Sequence, residues 1–199
     1  MFALISLILT FDYIIAPPLK GDGSVNGREN IVDKVSKVEF ATFAGGCFWG
    51  VEYAFENIPG VVKADSGFMG GKVDNPSYRQ VCMGDTNHAE VVQIEFDPAK
   101  VNYRKLVEYF FKIHDPTTPN RQGPDVGTQY RSAIFYHSDA QKQVAQDVIA
   151  ELKDKKAFKR PIVTELVPAQ SFWVAEDYHQ NYFDKHPERA VCHPIPKFE

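Results

Sequence analysis

The pattern of hydrophobic and polar positions from Val38 onward alternates between the two-residue period of strands and the longer period of helices. Strands are predicted where β-branched and aromatic residues alternate with others, at 38–43, 61–64, 90–96, 133–136 and 162–167. Helices are predicted where apolar residues share one helical face, at 47–58, from 102, from 139 and at 171–185. The order strand, helix, strand, strand, helix, strand predicts an α+β fold, a ferredoxin-like split βαβ core with C-terminal additions.

Two long connections interrupt this pattern, one after the strand that ends at Ala64 and one from His114 to Arg131. Loops of this length in a compact domain usually carry a function. Each contains a tyrosine, Tyr78 in the first and Tyr130 in the second, whose phenol can donate a hydrogen bond. Ordinary loop anchors packed by their rings are the alternative interpretation of these tyrosines.

The two ends of the chain differ from the region between them. Residues 1–34 are predicted to be an apolar segment followed by a flexible linker, and residues 35–199 a single domain. The apolar stretch is too short to span a bilayer and lacks the basic start of a secretory signal. The protein is therefore predicted to be either cytoplasmic or exported, or tethered to a membrane by this segment. Prolines predict an irregular, mobile C-terminal arm from about residue 186, which carries Cys192.

Composition and charge narrow the class of protein. A chain of 199 residues with 44% hydrophobic positions can bury one substantial core, which excludes a disordered chain. The net charge of −4 argues against binding to nucleic acid. No apolar interface stripe is evident, so a monomer is expected. Three cysteines cannot form a disulfide scaffold in a domain of this size, and their odd number leaves at least one thiol unpaired.

Cys47 is the strongest candidate for chemistry. It follows a glycine pair at the predicted start of a helix, where free backbone N–H groups and the helix dipole stabilise a thiolate. A small buried hydrophobe is the alternative interpretation. Phe48 and Trp49 come next, and because successive helical residues point in different directions, at least one ring is expected to line a surface pocket. Packing of both rings under loops explains the same spacing equally well.

Glu90 provides a second and independent indication. Strand alternation places its carboxylate on the same face as apolar residues, so the side chain is expected to be at least partly buried. Burial raises the pKa of a carboxyl group, which can then hold a proton near neutral pH and act as a general acid. A carboxylate at a strand end that reaches solvent is the alternative interpretation.

The pentapeptide Gly46-Cys47-Phe48-Trp49-Gly50 resembles the active-site signature of the A-type peptide methionine sulfoxide reductases. Further segments resemble that family in family order: 76–79, 88–90, 114–118, 127–132 and 175–180. The resemblance runs from about Phe40 to Cys192, and several separate segments in order make it specific. It implies an α/β two-layer roll and reduction of the S epimer of methionine sulfoxide, free or in proteins, which repairs oxidised methionine.

The resemblance also implies a role for each matching residue. The catalytic group would comprise a nucleophile, an acid, two oxygen-binding phenols, two aromatic rings that hold the S-methyl group and an acid near the substrate: Cys47, Glu90, Tyr78 and Tyr130, Phe48 and Trp49, and Asp125. Attack by the nucleophile would leave a cysteine sulfenic acid, which Cys192 would resolve as a disulfide. Thioredoxin would reduce that disulfide directly, because the C-terminal arm carries one cysteine.

Several features leave alternatives open. Cys82 competes with Cys192 as the resolving thiol, and Phe68 stands where the family pattern suggests a tyrosine. A cysteine hydrolase would pair Cys47 with a histidine base, available at His88, His114 and His179. A metal module could use His186, Cys192 and His193, but their spacing fits no common zinc pattern. The glycine pairs lack a nucleotide-binding pattern, so no bound cofactor or metal is expected.

Overall fold

The computed structural model describes residues 38–190. The predicted N-terminal segment and linker at 1–34, and the arm beyond 190 with Cys192, lie outside this range. The strands are β1 Glu39–Gly45, β2 Val61–Met69, β3 Ala89–Phe96, β4 Arg121–Gln122, β5 Asp125–Val126, β6 Ser132–Tyr136, β7 Glu165–Pro168 and β8 Trp173–Val174. The helices are α1 Phe48–Glu56, α2 Tyr78–Cys82, α3 Tyr103–Ile113, α4 Asp139–Asp154, α5 Tyr182–Lys185 and α6 Pro187–Ala190, with a 3₁₀ turn at Thr128–Tyr130.

The main sheet has six strands in the order β7-β6-β1-β3-β2-β8. Its four central strands pair antiparallel in the order and connection of a split βαβ unit, which confirms the predicted core. In the register, Phe43 of β1 faces Val92 of β3 on one side and Ile134 of β6 on the other. The additions are β7, parallel to β6 at one edge, and β8, antiparallel to β2 at the other.

The core forms where helices cover one face of this sheet. Phe43 is fully buried and stacks on Phe55 of α1 at 5.2 Å and on Phe110 of α3 at 4.9 Å between ring centroids. Both helices therefore pack on the same face as Phe43. Burial of each such ring contributes roughly 2–3 kcal/mol. The opposite face has a smaller buried cluster around Met69 and Phe135.

Hydrogen-bonding side chains define where the helices begin. Asn102 accepts from the backbone N–H of Lys105 before α3, and Ser138 accepts from that of Gln141 before α4. These starts agree with those predicted from sequence. Within residues 38–190, no helix has both the length and the apolar composition that crossing a bilayer requires.

The first long connection is shorter than predicted. Strand β2 continues to Met69, five residues beyond the predicted end at Ala64. The added residues pair with β3 as far as Ala89. Because backbone hydrogen bonds to β3 stabilise this extension, β2 continues through Gly67, which had suggested a loop. Helix α2 then occupies part of the remaining connection, and the capping box of Ser77 and Gln80 fixes its start.

The predicted helix at 171–185 is wrong over most of its length. Residues Trp173–Val174 form β8 at the open edge of β2, turns follow, and only Tyr182–Lys185 is helical. Pairing with Gly67 and Phe68 of β2 provides hydrogen-bond partners for the backbone of residues 173–174. This pairing outweighs the helical spacing of apolar residues in the local sequence. The predicted fifth strand, at 162–167, forms at Glu165–Pro168 instead, and one helical turn at Pro187–Ala190 lies within the predicted arm.

Candidate active site

Cys47 lies between the end of β1 and the first residue of α1. It is the N-cap residue of α1, one position before the predicted first turn, and it is partly exposed with a free thiol. Gly46 precedes it with a φ of +98°, and a Cβ atom there would lie 2.6 Å from the Cβ of Gln122. Because both the backbone conformation and the space require glycine, Gly46 fixes the direction in which the chain enters the helix.

The electrostatic environment of Cys47 opposes ionisation in the resting protein. Burial is the largest cause and raises the pKa of the thiol to about 12, with further increases from Glu90 and Asp125. The backbone N–H groups of Trp49 and Gly50 act in the opposite direction. The expected effect of the helix N-terminus is therefore present, but desolvation outweighs it, and the resting thiol keeps its proton at neutral pH.

Glu90 reaches the same helix N-terminus from β3. Its Oε2 accepts a hydrogen bond from the backbone N–H of Phe48 at 3.1 Å. Oε1 is buried and makes no hydrogen bond within the described part of the chain. The side chain is 1% exposed, which confirms the predicted burial. Burial raises the pKa of Glu90 to about 8, although the Phe48 N–H favours the charged form, so the carboxyl group is mostly protonated at neutral pH.

Tyr78 and Tyr130 bring phenols to this region from the two long connections. Tyr78 is the first residue of α2, and Tyr130 ends the 3₁₀ turn. Burial raises the pKa of both phenols, and a negative charge on Glu90 raises each further. The pKa of Tyr130 also responds to Cys47. The two phenols thus stay protonated, and both lie near the carboxyl group of Glu90, with Tyr130 also near the Cys47 thiol.

Asp125 lies on the short hairpin of β4 and β5, which pairs Gln122 with Asp125. Its carboxylate is partly exposed and raises the pKa of Cys47, Glu90 and Tyr130. It is therefore close to all three groups yet reaches solvent. The structure brings together the predicted site residues Cys47, Glu90, Tyr78, Tyr130 and Asp125.

The two aromatic residues after Cys47 have different environments. Phe48 is buried, with its ring 5.8 Å from Phe68 and 6.1 Å from Tyr78. Trp49 is partly exposed and stacks on Tyr182 at 3.7 Å with the ring planes 8° apart. Of the two interpretations of these rings, the surface position fits Trp49, whereas Phe48 is packed in the interior. Phe68, at the position expected to be tyrosine, is fully buried against Phe48.

Sequence reasoning missed the residues that support these groups. The indole Nε1–H of Trp49 donates to Nδ1 of His179 at 3.0 Å. The carboxylate of Glu176 accepts from the backbone N–H of Tyr78 at 3.0 Å. Both lie in the segment 175–180 that resembles the family, but no local pattern indicates which residues they contact. Tyr182 lies beyond that segment.

The cysteines differ in their setting. Cys82 is exposed at the end of α2, and its thiol lies near the Tyr78 phenol. Burial raises its pKa despite this contact. Cys192 lies outside the described residues.

The histidines named as bases for a hydrolase have other partners. His88 bonds the backbone at Gly71 and Val73, and His114 bonds Phe110 and Ser132. None of the described histidines makes a hydrogen bond to Cys47, so the arrangement does not favour the cysteine hydrolase. Residues 38–190 also contain no cluster of three metal-ligating side chains. A thiol beside a protonated carboxyl group and protonated phenols instead suits displacement of an oxygen that must accept protons as it leaves.

Comparison with known proteins agrees with the resemblance in the sequence. The family model for peptide methionine sulfoxide reductase matches residues 39–197. The peptide methionine sulfoxide reductase MsrA of Methanoculleus marisnigri is 57% identical over 148 residues, which are 74% of this chain and 90% of the relative.

Solved structures give the same result. The reduced form of Mxr1 from Saccharomyces cerevisiae is 39% identical, with a TM-score of 0.75 over 82% of this chain and 94% of that one. Mxr1 in complex with Trx2 is also similar, at 27% identity and a TM-score of 0.52 over 77% and 91% of the two chains. The region that the family model matches, 39–197, contains every described residue of the candidate site.

Proposed function

The chain belongs to the peptide methionine sulfoxide reductase family and is an A-type enzyme, a peptide-methionine (S)-S-oxide reductase, and we propose that Cys47 and Glu90 carry its chemistry. One observation supports this most directly: a buried, largely protonated carboxyl group shares the N-terminus of α1 with the thiol. A neutral acid beside a nucleophile suits a substrate whose oxygen leaves only after protonation.

In the proposed reaction, the sulfoxide oxygen lies against Glu90, Tyr78 and Tyr130. The sulfur of Cys47 attacks the substrate sulfur while Glu90 donates its proton to the oxygen, and the phenols stabilise the developing charge. As the thiol attacks, it gives up its own proton to the Glu90 carboxylate. The bond between the two sulfurs and the bond from the substrate sulfur to oxygen then break as the hydroxyl group passes to the Cys47 sulfur, which gives methionine and a cysteine sulfenic acid. The methionine sulfur gains two electrons and the cysteine sulfur loses two.

The aromatic rings bind the S-methyl group of the sulfoxide. Trp49 and Phe48 hold the S-methyl group by apolar and sulfur–aromatic contact, which places the oxygen of one epimer toward Glu90. Asp125, which is close to the site and partly exposed, contacts the polar part of the substrate. We propose that both free and protein-bound methionine sulfoxide bind in this way.

We propose that recycling uses a second thiol and an external reductant, with no bound cofactor. Cys192 attacks the sulfenic acid, which releases water and forms a disulfide with Cys47. A thioredoxin reduces this disulfide, as the complex of the related Mxr1 with Trx2 supports. The enzyme acts as a monomer, without nucleic acid, and residues 1–34 precede a single catalytic domain at 35–199. Whether the protein is cytoplasmic, exported or tethered depends on residues 1–34 and stays a prediction.

The test is turnover of separated S and R epimers of a methionine sulfoxide peptide by the full chain with dithiothreitol, with methionine measured by chromatography. We expect turnover of the S epimer alone. If the folded, reduced protein converts neither epimer, the proposed site chemistry is wrong. Hydrolysis of an acyl substrate without added thiol would then favour the cysteine hydrolase.

A further inference from the structure

Two carboxylates on α1 hold one residue of the C-terminal segment. Oε2 of Glu52 accepts from the backbone N–H of Asn181 at 3.0 Å. One turn later, Oε2 of Glu56 accepts from the side-chain Nδ2 of the same asparagine at 3.1 Å. Asn181 has a φ of +50° and directly precedes α5. The part-buried backbone bond therefore holds the residue that precedes α5, and the side-chain bond is a second, exposed contact.

The buried carboxylate is unfavourable for the fold. Glu52 is 1% exposed, and burial raises its pKa to about 7. Its Oε1 makes no hydrogen bond of normal length among the described residues, although the nearby hydroxyl of Ser66 favours the charged form. A buried acid that lacks full hydrogen bonding usually lowers stability relative to an uncharged side chain of similar size. The structural role of this carboxylate is to hold Asn181 in position through the backbone hydrogen bond.

The residue after Asn181 contacts Trp49, one of the two rings proposed to hold the S-methyl group. Tyr182 stacks on the indole of Trp49, and Trp49 lies three residues before Glu52 on α1. Residues three apart are neighbours on a helix surface. Segment 181–182 is thus attached to one side of α1 at two adjacent points, by the Glu52 hydrogen bond and by the Trp49 stack. Loss of the first contact would free Tyr182 to move away from the indole.

We infer that Glu52 is a positioning residue for substrate binding, which acts through the Asn181 N–H to hold Tyr182 against Trp49. The inference rests on the proposed role of Trp49 as a wall of the methyl-binding pocket. Glu52 itself takes no part in the chemical step. Its removal should weaken sulfoxide binding and leave the rate of the bound complex nearly unchanged.

The experiment measures single turnover. Reduced enzyme, freed of external thiol, is mixed with increasing S-sulfoxide peptide, and methionine release gives a half-saturating concentration and a maximal rate. For Glu52→Leu we expect the half-saturating concentration to rise about tenfold, with the maximal rate within about twofold. The same substitution is also made in a Trp173→Phe background, in which Trp49 is the one remaining tryptophan. The fluorescence emission of Trp49 should then shift to longer wavelength as Tyr182 moves away from the indole ring.

Three variants serve as controls. Glu52→Gln keeps an acceptor for Asn181 N–H and should restore binding to within about threefold of the wild type. Asn181→Gly accepts a φ of +50° and keeps the N–H, and Glu56→Gln alters only the side-chain bond, so both should stay within about twofold. Glu52→Asp, which withdraws the carboxylate from Asn181, replaces Glu52→Leu if the latter does not fold.

The outcomes separate two failures. If wild-type enzyme releases no methionine, the proposed function is wrong. If wild-type enzyme is active but Glu52→Leu, or its replacement Glu52→Asp, binds substrate normally and leaves the Trp49 emission unchanged, the positioning role is wrong. Equal loss of binding in Glu52→Gln and Glu52→Leu would also overturn it, because the acceptor would not be the property that matters.

Discussion

Two regions of the molecule meet at the site and are built in different ways. Around Cys47 and Glu90, regular elements place the chemical groups, because strand register and the start of α1 fix both positions. In the segment 175–182, the path of the chain is determined by hydrogen bonds that involve side chains: the Gln180 side chain donates to the Ser66 carbonyl, and the Asn181 backbone N–H donates to the Glu52 carboxylate of α1. The comparison shows that regular structure carries the reacting groups, while an irregular segment supports the pocket around them.

The largest effect should follow from the first region. Cys47→Ser replaces the thiol by a poor nucleophile and should lower methionine release by at least about a thousandfold. Single-turnover chromatography with the S epimer measures it. Cys82→Ser, a matched change of the other described cysteine, should keep methionine release with dithiothreitol within about threefold. Equal losses in the two variants would contradict the assignment of the nucleophile.

A second change tests the acid in the same region. Glu90→Gln cannot donate a proton and should slow methionine release by about a hundredfold to a thousandfold. Because the neutral form is active and the pKa of Glu90 is about 8, the wild-type single-turnover rate should fall as the pH rises above 8. The variant should lose this fall. A wild-type rate that increases steadily from pH 7 to pH 10 would show that Glu90 is not the acid.

A third change tests the resolving cysteine in the C-terminal part of the chain. Cys192→Ser should keep the first release of methionine but lower thioredoxin-dependent turnover by about a hundredfold, because the sulfenic acid then has no resolving partner. Dithiothreitol should restore turnover. If the variant keeps full turnover with thioredoxin, Cys82, which is exposed near the site, becomes the resolving thiol. Loss in the double variant alone would show that either cysteine suffices.

The smallest expected effect concerns stability. The unfolded chain ionises Glu52 near pH 4.5, whereas the folded protein does so near pH 7. Between these values the folded state binds more protons, so the free energy of unfolding should fall as the pH rises. The contribution of Glu52 to this fall is on the order of 2–3 kcal/mol. Urea unfolding of Glu52→Gln at several pH values should show a flatter profile, while Glu39→Gln, an exposed control, should retain the wild-type slope.

The sequence predicted the first region well and the second poorly. Period and turn residues located β1, α1 and β3, and the alternation along β3 predicted the burial of Glu90. The segment 171–185 has a helical apolar pattern, yet residues 173–174 pair with the free edge of β2. The free edge of β2 exists only in the folded sheet, so the local spacing of apolar residues cannot predict that residues 173–174 pair with it.

By itself, the sequence determined which side chains are available and on which elements they lie. A cysteine after Gly45-Gly46 and a glutamate within an apolar strand are local features, since neighbouring residues set them. Only the tertiary structure decided their ionisation and partners. The bond from Phe48 to Glu90 joins residues 42 apart and that from Trp49 to His179 residues 130 apart. Desolvation depends on what packs around a group, so burial raises the pKa of Cys47 although its place at a helix start favours the thiolate.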